Sequence, residues 1–382
     1  MRASAHATLR KTAITLLTGL VLAAATLGAR WRWGSRRGKA VAAPSPALGI
    51  ASPGDAAQPS GPGSTGHTEE AAMHPGRDAD SPVQIPARGW LQIGRRTVQQ
   101  IGEDRVMDEA ASVTFYTLLA LFPALAALVS LYGLVADPRT IAGNLDAVSG
   151  FMPGGGMQII GDQLKSLTSG PPKALGFGVV VGLATSLWSA NAGIKGLFDA
   201  LNVVYGEKEQ RGFIKRTLIT LGFTLGALVF LIVVMAGLVA LPAALSVIGL
   251  QQTTASLLKL GRWPILLVLL ALLLALLYRY GPSRHPARWR WVTWGGSLAT
   301  IVWLLVSLLF SFYVEHFGNY NKTYGSLGAA VGFMTWIWIS TIVVLSGAEL
   351  NAEMEHQTAK DTTHGAAKPM GARHATMADE VA

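Results

Sequence analysis

The chain has 382 residues, of which 51% are hydrophobic and only 14% charged. An ordinary soluble domain carries about 25% charged residues, so much of this surface faces something other than water. The formal net charge is +9 and there is no Cys; the lack of Cys excludes a disulfide framework, a thiol nucleophile and thiolate metal sites.

Residues 13–29 form the first apolar run, near the lower limit of about 17 residues for a span. Arg2, Arg10 and Lys11 precede it, and Arg30, Arg32, Arg36, Arg37 and Lys39 follow. That basic flank favours an uncleaved anchor over residues 1–39. A signal peptide cut near Ala23-Ala24-Ala25 is the rival, and an upstream start codon that adds a segment of little function is a third reading. Residues 40–87 are rich in Ala, Pro, Gly and Ser and are expected to be a disordered linker. Between 89 and 100, Trp90, Leu91, Ile93 and Val98 alternate with Arg95 and Arg96, the pattern of a short amphipathic helix on a membrane surface.

Six apolar runs follow, at 110–136, 174–190, 217–247, 263–280, 295–314 and 327–350. Each is long enough, or nearly so, to cross about 30 Å of hydrocarbon at 1.5 Å per residue. Trp263, Tyr280, Trp294 and Tyr313 lie near their ends, where aromatic rings favour the interface. The expected fold is all-α: a six-helix membrane core over 88–356, interfacial amphipathic helices, the extra N-terminal apolar segment, and a disordered cytoplasmic tail over 357–382. Two of the interfacial helices are expected within 137–173, and an elbow helix along the inner surface after Ala190. Sixteen Lys and Arg fall in the segments assigned inside and six in those assigned outside. The bias places both ends of the core in the cytoplasm. Three G-x-x-x-G pairs, Gly178/Gly182, Gly222/Gly226 and Gly328/Gly332, read as helix-packing devices.

Four stretches carry a family resemblance: residues 111–133, ASVTFYTLLALFPALAALVSLYG; Trp188-Ser189-Ala190-Asn191 with Phe198-Asp199-Ala200-Leu201-Asn202 and Tyr205-Gly206; Tyr324-Gly325-Ser326-Leu327-Gly328 with Trp336; and Gly347-Ala348-Glu349-Leu350-Asn351-Ala352-Glu353. Their order and spacing over some 265 residues resemble the YihY/BrkB family of bacterial inner-membrane proteins. The resemblance implies six membrane helices and a cytoplasmic C-terminus. It implies no settled activity: the family once bore a ribonuclease label, and transport of a lipid or envelope-related solute is the current kind of suggestion.

Polar residues within the apolar runs are the functional candidates, because each needs a partner there. Asp108, Ser112 and Tyr116 share one face of the first span, and Pro123 should kink it and free carbonyls. Thr185, Ser189 and Asn191 end the second span. Glu349 and Asn351 end the sixth, with Lys195, Arg279 or a proton as the expected partner of Glu349. A cavity between the first, second and sixth spans would use these residues; helix–helix hydrogen bonding and a structural ion pair are the plainer alternatives. Asn319, Tyr320 and Tyr324 would order its outer mouth. Arg284, Arg288 and Arg290, interleaved with Trp289, Trp291 and Trp294, suit anionic lipid headgroups. The eight His residues show no ligand spacing, and no G-x-x-x-x-G-K-[ST] loop occurs, so neither a metal site nor a nucleotide cofactor is expected. The reading is a transporter or lipid permease with membrane lipids and envelope proteins as partners and no nucleic acid. A non-transporting envelope scaffold is the alternative and an enzyme the distant third; substrate, energy source and oligomeric state stay open.

Overall fold

A computed structural model describes residues 75–132, 160–163, 165, 177–235, 252–317 and 326–382, all within one compact unit, Gly63–Ala382. The N-terminal apolar segment, most of the linker, most of 137–173 and the Asn319–Tyr324 loop lie outside the described residues.

The chain forms α1 (Ala87–Glu103), α2 (Val106–Tyr132), α3 (Phe177–Val204), α4 (Phe213–Met235), α5 (Gln252–Tyr280), α6 (Trp289–Phe317) and α7 (Ser326–His356), with a last turn at Thr376–Asp379. Among the described residues there is no strand, only an isolated bridge between Ala287 and Thr363, and the protein is all-α. Four stretches are long and apolar enough to cross a membrane: Val106–Leu131, Phe213–Val234, Trp289–Val314 and Ala330–His356. α5 adds the shorter Pro264–Tyr280. Large apolar side chains point away from the protein along these helices, among them Leu119, Phe122, Val229, Ile301 and Leu309. Only lipid makes such a surface favourable, and this is a membrane protein.

α2 packs along α3, and α6 along α7 with α5 behind it. Both seams depend on missing side chains. A Cβ at Gly193 or Gly196 would lie 3.3 Å from Thr117 or Tyr116 of α2. On α6, a Cβ at Gly295 would fall 2.1 Å from the Gly347 carbonyl and 2.6 Å from the Asn351 amide. That amide fills the crossing: the Gly295 N–H donates to Asn351 Oδ1 at 2.9 Å, and Asn351 Nδ2 donates to the Val292 carbonyl at 3.2 Å. The G-x-x-x-G pairs are different. A Cβ at Gly182, Gly222, Gly226 or Gly332 would meet nothing within 4 Å, so these glycines face outward and make no helix contact here.

Three elements depart from the sequence reading. α3 continues unbroken through Asn191, and the stretch expected to lie along the inner surface buries Phe198, Ala200 and Leu201 in the core instead. α1 is amphipathic as expected, but it seats Gly89, Ile93 and Thr97 inward and packs on α7, leaving Leu91 and Val98 exposed beside Arg88 and Arg95. Residues 357–382, expected to be disordered, fold back on the core. Gln357 Nε2 donates to the Pro75 carbonyl, Thr358 Oγ1 to that of Ala79, and the Thr376 N–H to Glu207, each at 2.7 Å. Arg373 donates to the carbonyls of Ala359 and Ala378. These anchors are hydrogen bonds to backbone, which leave no apolar periodicity to read.

The loop between α5 and α6 is held to α7 by an ion pair with both side chains fully buried: Arg284 Nη2 lies 2.6 Å from Glu355 Oε1. Thr362 Oγ1 donates to the other oxygen at 2.7 Å, and the guanidinium stacks 4.6 Å from the Tyr205 ring.

Gly295→Ala should therefore destabilise the protein by about 3 kcal/mol, because backbone rather than a flexible side chain occupies the space. Gly332→Ala should be neutral or stabilise by about 0.5–1 kcal/mol through helix propensity. Thermal unfolding in detergent checks both; equal effects would contradict the packing.

Candidate functional site

An open cleft of about 370 Å³ lies between the helices, lined by α2, α3, α4, α6 and α7. The α2 wall is Val113, Thr117, Ala120 and Ala124; Ala227 and Leu228 face it from α4, and Trp303 and Trp336 close it. Most of its polar neighbours are already bonded, although Thr117 in the α2 wall makes no side-chain hydrogen bond. Thr224 Oγ1 donates to Asn191 Oδ1 at 3.0 Å, Trp303 Nε1 to Ser340 at 3.1 Å, and Thr341 to its own helix. The lining is therefore mostly apolar and offers a hydrophilic solute few hydrogen bonds. A second exception adjoins it: Asn191 is fully buried and its Nδ2 has no partner.

At the C-terminal end of α7, its last two turns carry three buried carboxyls. Glu353 accepts from Arg96 Nε at 2.5 Å, and His356 Nδ1 lies 3.8 Å away. Glu355 holds Arg284. Glu349 is fully buried, and neither of its oxygens has a hydrogen-bond partner. Its charged neighbours are carboxyls, Asp104 and Glu353. Asp104 sits in the turn between α1 and α2, half-buried, and burial lifts its carboxyl above the usual range. The cations expected beside Glu349 are elsewhere. Lys195 lies over the rings of Trp188 and Phe213, and Arg279 lies over Tyr280 and Trp289 while donating to the Ala287 carbonyl.

The other sequence candidates do not converge. Asp108 is exposed in an ion pair with Arg105, 2.7 Å, and Ser112 and Tyr116 are exposed on the same face. The cavity face of α2 is the Val113–Thr117 face, about 100° round the helix. Pro123 lies half-buried within α2. Thr185 and Ser189 point outward, Thr185 bonding back to the Val181 carbonyl. Asn351 is the α6–α7 clamp. Arg284 is sealed against Glu355 and cannot reach a headgroup, because its charge is already matched inside the protein. Arg288 donates to the Thr363 and Gly365 carbonyls, and Arg290 is exposed. Asn319, Tyr320 and Tyr324 lie outside the described residues. Arg96, Asp104, Thr117 and Thr224 were not singled out by sequence; the i, i+4 spacing of Glu349 and Glu353 was the one signal that pointed toward α1.

Because no cation pairs with Glu349, Glu349→Gln should cost no more than about 1 kcal/mol. Glu355→Gln leaves a buried guanidinium unmatched and should cost about 3–5 kcal/mol. Melting curves of the two variants side by side test the contrast; equal losses would mean that Glu349 has a cationic partner after all.

The sequence profile described as Virulence factor BrkB matches residues 97–371. A protein of Bacillus subtilis named as ribonuclease-like, YfkH, is 31% identical over 254 residues, covering 64% of this chain and 88% of that protein. UPF0761 membrane proteins of Ralstonia nicotianae and Neisseria meningitidis serogroup B are 27% and 28% identical over 71% and 72% of this chain. The chain spans 60% and 64% of their lengths. No solved structure matches significantly. The profile covers most of the chain, from within α1 to beyond α7, and the protein therefore belongs to the BrkB family of membrane proteins.

Proposed function

We propose that this protein is a permease of the bacterial inner membrane that moves a lipid or another apolar, envelope-related solute, rather than an enzyme. α3 and α5 complete six crossings with α2, α4, α6 and α7, and both ends of the core and the tail over 357–382 lie in the cytoplasm. The observation that carries the reading is the largely apolar cleft of about 370 Å³ between the helices. That size is within the range of small-ligand sites, and a mostly apolar lining selects for an apolar guest. A scaffold has no use for such a space, since close packing would stabilise it better. Membrane lipids are the natural partners, reached through the exposed apolar faces of the same helices.

Filling the space separates the two readings. Ala227→Phe places a ring in the cavity from α4 and should leave stability unchanged or raised by about 1 kcal/mol. A deletion strain carrying this variant should keep its altered lipid and metabolite profile, whereas the wild-type gene restores it. Full restoration by a stably inserted Ala227→Phe would sink the permease reading in favour of the scaffold.

Orientation has its own test, because a Cys-free chain accepts single cysteines cleanly. An impermeant thiol reagent added to intact cells should label Ser169→Cys and spare Lys208→Cys, which sits exposed after α3. The reverse pattern would overturn the topology.

A further inference from the structure

Asp104, Glu349 and Glu353 meet where the α1–α2 turn rests on the C-terminal end of α7. One guanidinium serves them, that of Arg96, and it is bound to Glu353. Among the described residues no Lys or Arg forms an ion pair with Asp104 or Glu349. Glu349 is the decisive group: its side chain is sealed from solvent, and both oxygens lack a hydrogen-bond donor. Two facing carboxylates in a buried site repel strongly, and the usual resolution is one proton held between them.

The turn that presents Asp104 is itself strained. Arg105, just after it, takes a left-handed backbone with φ of 53°, an unusual conformation for a residue with a side chain. The Asp104 N–H is tied to the Gln100 carbonyl at 2.8 Å, and the Arg105 carbonyl receives the Asp108 N–H at 2.8 Å. A hinge held in this way brings the Asp104 carboxyl to α7 and leaves that carboxyl half-open to solvent, which gives the proton a route.

We propose that Asp104 and Glu349 form a binding site for a single proton, and that its occupancy fixes the α1–α2 turn against α7. With the proton present, one carboxyl donates to the other and the turn docks. When the proton leaves to the inner solvent, two like charges face each other, and the turn and the start of α2 are pushed from α7. Val113 and Thr117 of α2 line the apolar cleft, so that displacement widens the cleft from the inner side. The other groups at the site bias the equilibrium: Glu103 and Glu353 favour retaining the proton, Arg96 balances the Glu353 charge with His356 Nδ1 3.8 Å from that carboxyl, and Tyr205 is a neutral phenol nearby. The gating role rests on the permease reading; the proton site does not, and its test is read on purified protein without any substrate.

The full chain in lipid nanodiscs is unfolded thermally across a pH series. A proton taken up on folding contributes stability that is complete at low pH and is lost as pH rises through the site's titration. The wild-type unfolding constant should then rise by up to about tenfold per pH unit in that window. Glu349→Gln should flatten this slope, since it removes the sealed acid, and Asp104→Asn should move its window to lower pH, since Glu349 stays buried but loses the facing charge. A slope unchanged in Glu349→Gln, or a window unmoved in Asp104→Asn, would overturn the proposal, as would sodium ions at fixed pH stabilising wild type but not Glu349→Gln, because a metal cation would then fill the gap. Should a variant misfold, the pH-difference infrared spectrum of wild-type protein decides. A protonated-carboxyl band that disappears at high pH supports the site, and the absence of any such band rules it out.

Discussion

Charge buried around the C-terminal end of α7 must be matched group by group, and the fold is organised around that requirement. An unmatched buried ion costs several kcal/mol, which is a large share of the stability of any domain. The last two turns of α7 show how it is met. Helical geometry sends Glu349 and Glu353 toward α1, Asn351 toward α6 and Glu355 toward the α5–α6 loop. Each direction meets a different neighbour, so one short segment joins three otherwise separate elements. The same logic repeats at the elbow after α3, where Glu209 takes Arg211 at 2.7 Å and Arg211 in turn caps the carbonyls of Tyr280 and Gly281. Burial opposes charge on Glu209, but these bonds dominate and bring its carboxyl down to about 2.

The membrane interior follows the opposite rule. There the polar side chains bond to their own helices or to each other, as Thr114, Thr220 and Thr341 do with carbonyls three or four residues back. What holds the helices is close approach at glycine and dispersion between facing side chains. Close approach is uneven: it is tight at Gly295 and Gly347 and along Gly193 and Gly196, and it relaxes between these seams, where the apolar cavity lies. The ionic end and the apolar middle are continuous through α2, whose first turn follows the Asp104 hinge and whose next turns line the cavity.

Sequence made the helices legible because twenty apolar residues in a row have few other uses. It also marked Glu349 and Asn351, since polar groups at the end of an apolar run stand out. Facing was harder to read. Asp108, Ser112 and Tyr116 do share a face of α2, but polarity alone does not say whether that face turns inward, and it turns outward. The glycine pairs failed for the same reason: spacing identifies a smooth stripe, and only a partner helix makes it an interface. The order of residues 357–382 left no trace because it comes from single hydrogen bonds to distant groups and from one isolated apolar residue, Met377, in the core, none of which has a period.

The contrast between Glu349 and Glu355 carries the functional argument furthest. The two are chemically identical, equally buried and six residues apart on one helix. Glu355 meets a guanidinium in direct contact: Arg284 makes its one close ion pair with it, with Glu207 farther off, and Thr362 fills the second oxygen. That arrangement is closed, and neither partner can leave without exposing a bare charge. Glu349 meets a second acid on a strained turn and no base. A purely structural position would lose nothing by carrying Gln or Leu there, and packing would gain. A carboxyl held against another carboxyl, on a helix that itself lines the cleft, is costly in a static protein and useful in one that alternates between two states, because a single proton is enough to change the sign of the contact.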